Sequence, residues 1–137
     1  MKFGLSTVTR GVFSTRESYR AVAVAAERAG FDFLSVSDHL VVPAKLKSKY
    51  PYTASGAFAA AEEGYCLDMI ATMAFLSGCT ERLRLLASVM VVPHRPAMLT
   101  AKMISTIDVL SNGRITMTLG PGDAEDTERM VAAYFGT

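Results

Sequence analysis

Tryptophan is missing from this sequence, cysteine occurs only twice, and proline only five times. No stretch reaches the roughly 18 uninterrupted apolar residues of a membrane span. The two cysteines, Cys66 and Cys79, stand apart and outside any C-x-x-C pair, which argues against a disulfide framework and a zinc ribbon. A reducing, cytoplasmic location is therefore expected. The first residues, "MKFGLSTVTRGVF", reach a glycine and several hydroxyl side chains before any signal-length apolar segment, so neither export nor a membrane partner is expected. A surplus of either charge is also lacking: 14 basic and 13 acidic residues leave a net charge of +1. No face is thus built to neutralise a phosphate backbone, and nucleic acid is not an expected partner. What the sequence has is apolar content, 50% of 137 residues against 20% charged, enough for one compact domain over residues 1–137.

Short apolar runs alternate with longer segments of helical period, which is the pattern of βα units around a parallel sheet. "KFGLSTV" reads as a first strand. Ser14-x-x-Glu17 then reads as a capping box, followed by a helix with Tyr19, Val22, Ala23 and Ala26 on one face and Gly30 at its end. "FDFLSVS" is the second strand. After a long connection, Leu67, Ile70, Ala71, Ala74 and Phe75 stripe a second helix stopped by Gly78. "RLRLLASVMVV" is the third strand. A third helix runs from about Pro96 with Leu99, Met103 and Leu110 inward, and "SNG" turns the chain into a fourth strand, "RITMTLG". "DAEDTERMVAAYFGT" begins a fourth helix. No repeat, linker or domain boundary interrupts this order.

The connection between the second strand and second helix exceeds the usual length of about 2–6 residues. Its Pro43, Lys45, Lys47, Lys49, Tyr50, Pro51 and Tyr52 read either as a basic, aromatic, lid-like surface or as a solvated insertion. In parallel α/β proteins the site is built by the segments that follow the strands. Here these are "STVTR", "SDHL", "SVMVVPHRP" and "GPGD", and they hold nearly all the candidate chemistry. His39 can change charge near neutral pH, and the adjacent Asp38 would raise its pKa. The same residues also fit a histidine bonded to a loop carbonyl and an aspartate acting as a cap. Arg95 fits an anion site or a pairing with a carboxylate. Asp123, Glu125, Asp126 and Glu128 fit the first turn of a helix, where its dipole favours them.

Several chemistries are excluded. The first strand-to-helix turn has no G-x-G-x-x-G, and the lone G-x-G in "GPGD" is followed by acidic residues that would repel a pyrophosphate. There is no G-x-S-x-G and no H-E-x-x-H, and two histidines with two cysteines match no metal site, so no metal is expected.

The order "AERAGFDFLSVSDHL", "YPYTASG" and "TERLRLLASVMVVPHRPAMLTAKMISTIDVLSNGRITMTLGPG" resembles the N-terminal half of the bacterial luciferase-like family of flavin-dependent oxidoreductases. The resemblance implies the first four βα units of a TIM (β/α)8 barrel, an α/β fold with a parallel sheet and helices outside. It implies reduced FMN or the deazaflavin coenzyme F-420 as cofactor and a small organic molecule as substrate. "SDH" and "ASV" are similar to the deazaflavin branch, which includes sugar-phosphate and alcohol dehydrogenases. Carried onto this sequence, the resemblance makes His39 the active-site histidine, oriented by Asp38 and taking the proton of a substrate hydroxyl. Ser88 and Val89 match a bulge with a non-prolyl cis peptide behind the flavin ring, and Gly120 and Gly122 join the cofactor-binding set. Asp123 stands where the sugar-phosphate enzymes carry a glutamate acid, one methylene longer. The family's tryptophan soon after the histidine has no counterpart here.

A complete (β/α)8 barrel takes about 250 residues, with its phosphate site after strands seven and eight. Four parallel strands are expected to leave two open edges and an uncovered apolar face. The chain is therefore expected to be a piece of a longer enzyme or a homo-oligomer joined through its open sheet edges. The leading expectation for function is hydride transfer between an alcohol- or sugar-type substrate and F-420. The alternatives are FMN-dependent monooxygenation and a non-catalytic half-barrel that self-associates.

Overall fold

The computed structural model describes residues 1–40 and 64–121. Within them, four strands, β1 (Gly4–Thr7), β3 (Phe33–Val36), β5 (Arg84–Val91) and β6 (Ile115–Gly120), form one parallel sheet in the order β1-β3-β5-β6. Three helices connect them: α1 (Arg16–Arg28), α2 (Met69–Ser77) and α3 (Ala97–Leu110). A two-residue pair absent from the sequence reading, β2 (Arg10–Gly11) antiparallel to β4 (Tyr65–Cys66), forms a small separate ribbon. The expected lid-like segment around Lys45–Tyr52, the fourth helix, Gly122 and Asp123 lie outside the described residues.

Helix α1 is set by its ends. Its N-cap is Thr15, whose hydroxyl accepts the Ser18 N–H at 3.2 Å, one position beyond the expected cap at Ser14. Ser14 is instead buried, its own N–H bonded to the Gly11 carbonyl at 2.9 Å, so it lies in the turn before the helix. At the other end the Phe31 N–H reaches the Ala26 carbonyl and the Gly30 N–H the Glu27 carbonyl. This double closure needs a left-handed residue, and Gly30 supplies it with φ +83°. Tyr19, Ala23 and Ala26 are buried between these ends, with Val22 packed beside them.

Registry across the sheet produces two unlike faces. Leu5, Leu34, Leu85 and Ile115 are aligned partners, as are Thr7, Val36, Ala87 and Met117. Their apolar members join α1, α2 and α3 in the core. The intervening row is Ser6, Ser35, Leu86 and Thr116. The face away from the helices is therefore largely polar, which corrects the expectation of an uncovered apolar face. "GLST" and "ITMT" alternate with period two, so small and hydroxyl side chains fall on the side opposite the core.

Two helix faces also differ from the sequence reading. In α2 the buried residues are Met69, Ile70, Thr72, Met73 and Leu76, while Ala71 and Ala74 are exposed. This helix packs against α1, α3, β3 and β5 and is apolar on most sides, so its period carries no phase information. In α3, Leu99 and Leu110 are 57% and 76% exposed, and Thr100 and Ile107 take the buried positions. Apolar side chains circle this helix too, and packing chooses among them.

The N-terminal ends of the strands are tied by two side chains distant in sequence. Arg114 is buried and donates to the Ser77, Leu83 and Ser111 carbonyls and to the Thr80 hydroxyl, at 2.7–2.9 Å. Glu27 accepts the backbone N–H groups of Glu81, Arg82 and Leu83, its Oε2 lying 2.9, 2.7 and 2.8 Å from them. Burial works against the charged carboxylate, but these three donors outweigh it and hold its pKa below the ordinary value. A depressed carboxylate contributes stability that is present above its unfolded pKa, about 4.3, and is lost as pH falls through the folded value. Glu27→Gln is expected to lower stability near neutral pH by about 1 kcal/mol, allowing for solvent screening, with the difference vanishing at acid pH. Urea unfolding of both proteins across this range checks it, and a pH-independent difference would count against the charge.

Candidate active site

The segments that follow the four strands meet at one end of the sheet. Thr9, fully buried, fastens the end of β1 to the end of β3. Its hydroxyl donates to the Ser37 carbonyl at 3.1 Å, and its N–H donates to the Ser37 hydroxyl at 3.2 Å. The chain then enters the β2–β4 ribbon, where Arg10 faces Cys66 and Gly11 faces Tyr65. The ribbon requires glycine at Gly64: a Cβ there would lie 2.2 Å from the Gly11 backbone, and φ is +88°.

Asp38 is buried, and both its oxygens are engaged. Arg95 donates Nη1 to Oδ2 at 2.6 Å and Nη2 to Oδ1 at 2.8 Å, and the Val91 N–H reaches Oδ2 at 3.0 Å. Arg95 Nη2 also donates to Asp68 Oδ2 at 2.7 Å, while Asp68 Oδ1 caps α2 by accepting the Ala71 N–H at 2.8 Å. The side chains of Arg95 and Asp38 are 9% and 0% exposed, so this is a buried ion pair with a second carboxylate attached. Hydrogen bonding to Asp38, reinforced by Asp68, pushes the Arg95 pKa further up, against the effect of burial. Burial opposes the charged form of Asp68, but Arg95 and the Ala71 N–H hold its carboxyl below the usual range. Of the two sequence readings of Arg95, the structure takes carboxylate pairing, and the carboxylates are buried or half-buried.

His39 follows directly and is half-buried, with Arg10 against its ring. Arg10 Nη1 lies 3.3 Å from Nδ1 and 3.2 Å from Nε2. Burial, the Arg10 charge and His94 push the His39 pKa down, and Asp38 opposes them without prevailing. The expected upward shift from the adjacent carboxylate is therefore reversed. The physical reason is first the burial of the ring and then the Arg10 charge against it, while the Asp38 charge is already countered by Arg95. The downward shift favours the neutral imidazole, the form that can accept a proton. The Cys66 thiol donates to the His39 carbonyl at 3.3 Å, and burial pushes its pKa up, keeping it protonated.

On the neighbouring strand, Ser88 and Val89 are an extra pair in the register between Ala87 and Met90, opposite the single residue Thr118 of β6, and their peptide bond is cis. Val89 is 43% exposed. A Cβ built on Gly120 would lie 3.0 Å from Val89 Cγ1, so the missing side chain at Gly120 makes room for Val89 on the bulge. Thus His39, Asp38, Ser88, Val89 and Gly120 gather at one end of adjacent strands, while Gly122 and Asp123 fall outside the described residues. Arg10, Cys66 and Asp68 were not singled out from sequence. Arg10 does sit in "STVTR", one of the four strand-following segments, and that position was its only signal. Among the described residues no group of His, Cys, Asp and Glu is placed to hold a metal, and no helix is long and apolar enough to cross a membrane.

Parallel strands wrapped by helices, with polar residues at one end of the sheet, define the class, and comparison with known proteins defines the family. The model of the luciferase-like monooxygenase family matches residues 1–136, so the chain belongs to that family. An uncharacterised Mycobacterium tuberculosis protein, Rv0940c, is 32% identical over 113 residues, covering 82% of this chain and 39% of its own length. The chain thus spans well under half of the curated relatives it matches. The coenzyme F-420-dependent tetrahydromethanopterin reductase of Methanopyrus kandleri superposes with a TM-score of 0.64 at 19% identity, over 94% of this chain and 29% of that one. Riboflavin lyase RcaE, solved with a modified FMN and riboflavin, gives a TM-score of 0.71 at 23% identity, over 100% and 32%. The fold is accordingly that of the TIM-barrel luciferase-like enzymes, of which this chain is a partial length.

Breaking the Arg95 pair leaves an uncompensated buried charge, a change that costs about 3–5 kcal/mol. Arg95→Met is expected to lower the urea midpoint accordingly at an unchanged m-value. A loss below about 1 kcal/mol would remove the pair from the stability of this end of the sheet.

Proposed function

We propose that this chain supplies the His39 side of a flavin-type ring site, and that the enzyme containing it transfers hydride between a small alcohol- or sugar-type substrate and coenzyme F-420. The observation that supports this most is the arrangement of side chains at the end of β5. An exposed Val89 on a bulge, a glycine beside it at Gly120, and a neutral imidazole after the adjacent strand form an apolar support with one proton acceptor at its side. These residues fit a flat heteroaromatic group, which needs apolar surface on its face and polar partners at its edge. When bound, the cofactor supplies the hydride acceptor or donor.

The roles of this chain's own residues follow from their chemistry. Ser88, Val89, Gly120 and Gly122 bear on the ring. His39 takes the proton of a substrate hydroxyl, a task its neutral form suits. Asp38 acts on His39 through its charge and anchors Arg95, and Asp123 stands as the acid of the reverse direction. A second reading keeps the site and makes the cofactor FMN and the reaction a monooxygenation. It is favoured by the description of the matching family and by the FMN in the riboflavin lyase structure.

Titration of F-420 and of FMN with the 137-residue chain, followed by quenching of cofactor fluorescence, tests the proposal. Saturable binding of F-420, weakened about tenfold (about 1.4 kcal/mol) in His39→Ala, is expected. Saturation with FMN alone would favour the second reading, which oxygen uptake stoichiometric with substrate would confirm. No saturation with either would overturn a ring site on this chain. Sedimentation of the same samples tells whether two copies join through their sheet edges to make it.

A further inference from the structure

We propose that Thr118 is a positioning residue for the candidate ring site: from β6 its hydroxyl holds the peptide that enters the β5 bulge and so fixes where Val89 stands. The inference rests on the reading of Ser88 and Val89 as the support of a flat ring, and it names the residue that keeps that support in place.

The register carries the argument. Ala87 pairs with Met117 and Met90 with Leu119, so Ser88 and Val89 together face the single residue Thr118. A bulge interrupts the ladder, so the course of the chain through it must be set by something other than regular pairing. The Thr118 hydroxyl donates to the Ala87 carbonyl, the group that begins the first peptide of the bulge. Thr118 and Gly120 alternate with Met117, which packs against the core, so both lie on the face of β6 away from the helices. On that face Val89 takes the room left by the missing side chain of Gly120, where a Cβ would lie 3.0 Å from its Cγ1. The bulge is thus held twice from β6, by a hydroxyl at its entry and by a glycine beside Val89. Hydroxyls also fasten β1 to β3, Thr7 on the Ser35 carbonyl at 2.9 Å and Thr9 on the Ser37 carbonyl at 3.1 Å. Those two accompany an unbroken register, whereas Thr118 stands opposite the irregular one. Thr118 is itself exposed, so its bond adds little to the core. What the bond orders is the partly exposed Val89.

Thr118→Val keeps the shape and the strand preference and removes only the donor, whereas Thr118→Ser keeps the donor. In the 137-residue chain, amide exchange from Ser88 to Met90 should speed up about fivefold in Thr118→Val, the loss of one hydrogen bond, and return toward the wild-type rate in Thr118→Ser. Exchange in α1 should be unchanged. Whichever of F-420 and FMN the wild-type chain binds should bind Thr118→Val about fivefold more weakly, with affinity restored in Thr118→Ser. A bond that served stability alone would shift the urea midpoint and leave that affinity unchanged, which overturns the proposal. So does unaltered exchange through the bulge in a folded Thr118→Val chain. If that variant fails to fold, side-chain coupling constants of the wild type decide: a single Thr118 χ1 rotamer upholds the proposal, and averaging over rotamers overturns it. Exchange and couplings need no cofactor, so failure of both cofactors to bind would sink the proposed function and leave the hold on the bulge tested by itself.

Discussion

Arg95 is the point from which the site end of this half-barrel is organised. A guanidinium that is nearly fully removed from water must be paired, and this one is paired twice, with Asp38 after β3 and with Asp68 at the start of α2. Asp38 in turn holds the Val91 N–H at the end of β5. One charged cluster therefore sets where β3 and β5 finish and where α2 begins. It also sets the entry to α3, since Arg95 precedes Pro96, the cap of that helix. Because both Asp38 oxygens are committed there, the carboxylate beside His39 acts on it only as a partly neutralised charge.

The electrostatics of His39 follow from that arrangement. An aspartate next in sequence would ordinarily favour the imidazolium, but burial of the ring, and after it the Arg10 guanidinium against the ring, act the other way. The imidazole at the end of β3 stands one strand from a bulged β5 whose partly exposed Val89 packs beside Gly120. Apolar surface and an imidazole on neighbouring strand ends are the features on which the proposed ring site rests.

Much of the architecture was legible from the residues. The βα order, the glycine closing α1, the "SNG" turn with Asn112 and Gly113 at positive φ, and the irregularity at Ser88 and Val89 all stand where the sequence or its family resemblance put them. The faces of α2 and α3 were not legible, because both helices carry apolar residues around most of their circumference. The polar far side of the sheet was hidden for a related reason: strands that short read as apolar runs until pairing shows which residues share a row. The cap of α1 moved by one residue because Ser14 and Thr15 are both good caps, and only the turn from Gly11 decides between them.

Element order, family and the strand ends that carry the candidate site could be read from the residues alone. Those depend on hydrophobic period, turn chemistry and local motifs, which act within a few residues. Tertiary structure alone decided which charges meet. Arg95 finds Asp38 across 57 positions and Asp68 across 27, and Arg10 finds His39 across 29. Among 14 basic and 13 acidic residues, no local rule selects those pairs. They are chosen by which strand ends lie side by side and by the cost of leaving a buried charge unanswered.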